Sequence, residues 1–124
     1  MQAWKLLQRI NDRLWSWNPT TDIVLDAIVN PSSPHKRRVL EYSTDFKTVA
    51  QDTPLFVFED MEEGWRWARG GRVHYVEMWR VEADAVRSFQ PDDLNWVKQE
   101  WGAHPEDFHL FSLAGTVQLL ERVK

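Results

Sequence analysis

Two arginines, Arg37 and Arg38, end a basic run that begins at His35 and Lys36, and two tryptophans, Trp15 and Trp17, stand upstream of it. A guanidinium offers a planar fork of donors that matches a phosphate in bidentate fashion, and an indole face stacks on a ring. Together these residue types suit an anionic, ring-bearing ligand such as a nucleotide. A strand Trp15-Ser16-Trp17 is the expected neighbour of the basic run, which would place the four side chains in one region. Arg80, at the far end of a later strand, is a further candidate. The competing reading is a solvated basic loop that offsets an acidic remainder.

Other chemistry finds less support. His104 and His109 flank Glu106 and Asp107, but a five-residue spacing with a proline between does not put both rings on one helix face, as a zinc motif would. No metal is expected. There is no Gly-x-Ser-x-Gly elbow for a nucleophilic serine. Glu59, Asp60, Glu62 and Glu63 read as helix capping and a solvated face. Gly70-Gly71 follows a helix instead of opening one, so it serves as a helix stop and not as a phosphate cradle. No catalytic residue and no cofactor is assigned.

The whole chain narrows the choices further. Its 124 residues suit one domain, 1–124, since no polar or Gly/Ser-rich linker separates two apolar blocks. The absence of cysteine excludes a disulfide framework, a thiolate metal site and a cysteine nucleophile. A net charge of −4 with mixed signs along the chain argues against general nucleic-acid binding. The first residues lack the basic-then-apolar layout of a signal peptide. No apolar run approaches the roughly 20 residues that span a bilayer. No membrane association is expected, and the compartment expected is cytoplasmic (host cytoplasm if the protein is viral). Eight tryptophans are many for this length. Each buries ~150–250 Å² when enclosed, so some must lie at an edge, in a pocket or in an interface.

Position by position, residues 4–17 carry apolar side chains at helical spacing, yet Asn11-Asp12 at the centre favours two short strands around a turn. Residues 22–29 fit a strand or a short helix. A loop follows through Pro31 and Pro34, and residues 37–42 read as a strand leaving the basic run. The clearest unit spans residues 54–82. It has an apolar strand over 54–59, Asp60 as the cap of a helix through Trp65 and Trp67, Gly70-Gly71, and a strand over 72–82 with apolar groups on both faces. Gln90-Pro91-Asp92-Asp93 opens a second helix that ends at Gly102. Residues 108–113 are apolar but irregular, and a last strand follows Gly115-Thr116. The fold class expected is α+β, a mostly antiparallel sheet with two helices packed on one side.

Three stretches carry a family resemblance: Ala3-Trp4-Lys5-Leu6-Leu7; the run from Leu55 to Glu63 with the Val76-to-Val81 strand; and the run from Gly115 to Val123. Over about half the chain this layout resembles small phage-encoded accessory proteins, including the Thoeris anti-defence family that sequesters cyclic ADP-ribose signals. The resemblance implies a non-catalytic protein, a homodimer, that binds a small nucleotide-derived signal or a host defence protein. The strand–helix–strand phrase is also similar to ADP-ribosyltransferase-like folds acting on NAD, in which His35, Tyr42 and Glu121 would take the catalytic roles. A plain protein-interaction module, a defence inhibitor with an exposed tryptophan patch, is the third expectation.

Overall fold

The structure, a computed structural model, describes residues 1–17, 21–69, 76–93 and 111–123. It begins with the hairpin. Strand β1 (Gln2–Ile10) returns as β2 (Arg13–Ser16), pairing Leu7 with Ser16 and Ile10 with Arg13. Asn11 and Asp12 turn the chain with φ of 53° and 63°. Two successive left-handed residues make a turn whose twist matches the strands, and Asn and Asp tolerate that region best after glycine.

Residues 22–29, open between strand and helix in the sequence, lie in helix α1 (Thr21–Val29). The strand expected over residues 37–42 is corrected: only β3 (Glu41–Tyr42) is extended. The basic run is instead wound into a turn, where the amides of Arg38 and Val39 both donate to the His35 carbonyl at 3.0 Å. Ser33 starts that turn, for its hydroxyl accepts from the His35 amide at 3.2 Å and donates to Asp26 at 2.7 Å. A local hydroxyl–backbone bond of this kind outcompetes an extended chain.

The remaining elements are β4 (Thr48–Val49), β5 (Leu55–Val57), α2 (Met61–Arg69), β6 (Val76–Asp84), β7 (Arg87–Ser88), a 3-10 turn (Pro91–Asp93), β8 (Ser112–Ala114) and β9 (Thr116–Arg122). Asp60 caps α2 by accepting the Glu62 amide at 2.8 Å. The expected second helix opens with the 3-10 turn, and its course from residue 94 lies outside the described residues. So do Gly70-Gly71, Arg72 and the His104/His109 pair.

A six-stranded antiparallel sheet runs in the order β3-β2-β1-β6-β9-β4, and a three-stranded sheet in the order β5-β8-β7. The fold is therefore α+β and mostly antiparallel. β5 falls within the strand expected over 54–59, and β6, from Val76, continues the one expected over 72–82, whose first residues lie outside the described ones; but the two belong to different sheets, so α2 bridges sheets instead of crossing over one. The larger sheet curls until its edge strands meet, with the Thr48 hydroxyl donating to the Glu41 carbonyl at 2.6 Å. A bend at the single residue Gly115 separates β8 from β9, so the chain passes directly from the small sheet into the large one. A Cβ on Gly115 would lie 3.1 Å from that of Ala85.

Alternation along β1 and β6 sorts the core. Ala3, Leu7, Leu14, Tyr42, Trp79, Val81 and Leu119 face inward and meet Leu55, Val57 and Ala114 of the small sheet. Leu6 and Met78 face outward and are covered by Met61 and Trp65 of α2. Ile10 and Trp15 pack with Val24 and Ala27 of α1. Both helices thus lie on the outer face, and the expectation that β6 is covered on both sides holds.

Candidate functional site

One edge of β1 is divided between two partners. From Leu7 to Ile10 it pairs with β2, while Trp4 exchanges two 2.8 Å backbone bonds with Phe58, just beyond β5. Between them, at Lys5 and Leu6, β2 and β5 splay apart and a cleft opens. Lys5, Ser16, Tyr42 and Thr53 line it with polar groups, Trp17, Phe56, Phe58, Trp67 and Phe111 with rings, and Arg38 with a guanidinium. Its free space, solvent-open mouth included, is about 620 Å³. The enclosed cavity is about 50 Å³, well below the ~300–1,000 Å³ of small-molecule sites, so the cleft is a narrow slot that a ring-bearing ligand would have to widen.

The aromatic wall is a packed set. Phe111 makes edge-to-face contacts with Phe56 at 4.7 Å, Trp67 at 5.3 Å and Phe89 at 5.7 Å. Such geometry directs ring edges and faces in fixed orientations and stiffens the wall.

Lys5 is the unusual member. Strand parity places it inward with Ala3 and Leu7, and only 5% of it is exposed. Its Nζ donates to the Phe56 carbonyl at 2.5 Å and sits 5.0 Å from the centre of the Tyr42 ring. No carboxylate among the described residues forms an ion pair with it. Burial disfavours the ammonium, and the pKa falls from 10.5 to about 7. A buried amine of this kind titrates near neutrality.

Tyr42 completes the floor. It is buried, its hydroxyl has no hydrogen-bond partner among the described residues, and burial pushes the phenol well above its usual range. The neighbouring Ser16 hydroxyl opposes that shift weakly, but its own bonds are to Leu40, accepting from the amide at 3.1 Å and donating to the carbonyl at 3.3 Å. An unpaired buried hydroxyl costs ~1–3 kcal/mol, so its placement here calls for an explanation.

The five residues singled out in the sequence divide three ways. Trp17 and Arg38 line the cleft. Trp15 and Arg37 instead line an open groove beside it, formed with the end of α1 and residues 31–36. There Trp15 packs against α1, and Arg37 pairs with Asp52 at 2.5 Å. Arg80 does not line the cleft; it pairs with Glu121 at 3.0 Å between β6 and β9. Of the residues cast for an ADP-ribosyltransferase-like site, Tyr42 lies in the cleft, whereas His35 contacts Arg38 in the loop and Glu121 is held by Arg80.

Sequence reasoning did not single out Lys5, nor Phe56, Phe58, Trp67 and Phe111 as lining. The signal for Lys5 was present: a lysine in register with Ala3 and Leu7 on a strand of otherwise apolar inward positions. Among the described residues, no cluster of His, Asp or Glu is arranged to hold a metal, and no helix is long and apolar enough to cross a membrane. No family model, curated protein or solved structure matches the chain.

Proposed function

We propose that this chain is a non-catalytic binding protein for a small, anionic, ring-bearing ligand of the nucleotide-derived class, and that the Lys5 cleft is its site. In a phage-type accessory role, holding such a molecule would withdraw a signal from a host defence system. The observation that carries the reading is Lys5, an amine buried without a carboxylate partner among the described residues, in a slot walled by rings and flanked by Arg38. A ligand anion would restore the ammonium and offset the desolvation it now suffers. Trp17, Trp67, Phe56 and Phe111 offer faces and edges for a ring, and the Tyr42 hydroxyl offers a hydrogen bond it makes to no described residue.

The wider groove at Trp15 and Arg37 supports this less well, because Arg37 already has Asp52 and the groove is open. The reading is tested by titrating intrinsic tryptophan fluorescence, which Trp17 and Trp67 report from the cleft wall. Cyclic ADP-ribose variants, NAD and cyclic dinucleotides form the panel. A saturable change with at least one of them, weakened by Lys5→Met, is expected. Silence across the panel from folded protein would overturn it.

A further inference from the structure

We infer that Lys5 is a covalent capture site, condensing with an aldehyde-bearing ligand in the cleft to form an imine. This rests on the reading that the cleft takes a ligand, and it names the class: a ring-bearing molecule with its anionic group at Arg38 and a reactive carbonyl, in place of an anionic group, at Lys5, so that the amine is not held as an ammonium, such as a nucleotide whose terminal sugar opens to the aldehyde. Three features place it here. The Lys5 Nζ lines the slot yet is held in position by the Phe56 carbonyl at 2.5 Å. No carboxylate among the described residues pairs with it, so no described side chain holds it as an ammonium. Two hydroxyls, those of Ser16 and Tyr42, line the same space.

The chemistry balances without an added oxidant or reductant. The Nζ lone pair adds to the carbonyl carbon, and the carbonyl oxygen takes up a proton to give the carbinolamine. That oxygen then leaves as water while the nitrogen loses a proton, and the C=N bond forms. Hydroxyls that stay protonated, as a buried phenol does, can donate to the oxygen during its departure. Desolvation of a lysine in an apolar pocket is a recognised way to ready it for such a step. With a pKa of about 7, half of Lys5 is neutral at pH 7. An ordinary lysine, with pKa near 10.4, is neutral to roughly one part in 2,500, so Lys5 has about a thousandfold advantage in reactive form.

The test uses wild-type protein, equimolar pyridoxal 5′-phosphate and borohydride reduction, followed by peptide mapping of the adduct by mass spectrometry. A parallel run uses glyoxylate, a small anionic aldehyde that enters a narrower space. At pH 7 the adduct is expected on Lys5 at least tenfold above the exposed Lys36 and Lys47. Between pH 7 and 9 Lys5 labelling should rise only about twofold, while that of ordinary lysines rises roughly a hundredfold. Labelling confined to Lys36 and Lys47 with both probes, or a Lys5 profile that follows theirs, would overturn the inference. The two readings fail separately. A fluorescence response to the nucleotide panel without Lys5 labelling removes only covalent capture, whereas Lys5 labelling with a silent panel removes only the nucleotide ligand.

Discussion

Replacing Lys5 by methionine should stabilise the protein at neutral pH, and the size follows from the amine's surroundings. Lowering a lysine pKa from 10.5 to about 7 means that folding disfavours the ammonium by ~5 kcal/mol, at ~1.4 kcal/mol per unit. At pH 7 ~4 kcal/mol of that penalty is felt, because the folded state escapes part of it by losing the proton. Methionine, of similar length and without charge, removes the penalty but leaves the Phe56 carbonyl without its donor, a loss of ~1–3 kcal/mol. The net expectation is a gain of roughly 1–3 kcal/mol at pH 7. The sign of the pH dependence is also fixed. Between about pH 7 and 10.5 the unfolded chain binds more protons at this position than the folded one, so stability rises with pH across that window and is flat below it. Urea denaturation of wild type and Lys5→Met at half-unit steps from pH 6 to 9.5 reads both effects. The difference between the two proteins should be largest below pH 7 and shrink steadily above it. A variant less stable than wild type throughout, or a difference independent of pH, would refute the description of Lys5 as a buried, unpaired amine.

Three further outcomes test separate parts of the structure. Glu77 is buried and takes two hydrogen bonds from Arg9, at 2.5 and 3.0 Å, and one from the Trp79 indole at 3.1 Å. Chiefly through Arg9, its carboxyl is held below the usual carboxylate range. Glu77→Gln should therefore cost ~3 kcal/mol in urea denaturation near pH 7. The loss should vanish as pH falls through the lowered carboxyl pKa, where wild type loses the same charge. Asp12→Gly relieves a side chain held at positive φ and should raise the urea midpoint by the equivalent of ~0.5–1 kcal/mol. Tyr42→Phe removes a hydroxyl with no partner among the described residues. It should leave stability unchanged or raised by ~1 kcal/mol, yet weaken the fluorescence response to any panel member that wild type binds.

What the sequence makes legible depends on the range of the interaction. The hairpin at Asn11-Asp12 and the cap at Asp60 are local, and their residues announce them. The division of β5 and β6 between two sheets is a long-range choice, and apolar periodicity says which face of a strand is buried without saying which strand lies beside it. The basic run reads as extended because nothing in its composition shows that Ser33 will bond the His35 amide. Once that turn forms, adjacent arginines diverge, so Arg38 reaches the cleft while Arg37 reaches Asp52. Trp17 and Arg38 were therefore legible as residue types suited to a ligand, but the pairing of Trp15 with Arg37 in the same site was not. Lys5 is the converse case. A lone lysine on an apolar strand reads as a solvent-facing position, and only its parity with Ala3 and Leu7 reveals the burial.

The central claim, that an anion docks on Lys5 in the cleft, is tested most directly by the proton that docking would take up. Isothermal titration with cyclic ADP-ribose at pH 7, repeated in two buffers of different ionisation heat, counts that proton. An amine with a pKa of about 7 that becomes fully protonated on binding takes up about 0.5 proton per ligand at this pH. The account predicts that uptake for wild type and none for Lys5→Met. Saturable binding with no proton uptake by wild type, or with the same uptake by both proteins, would contradict it.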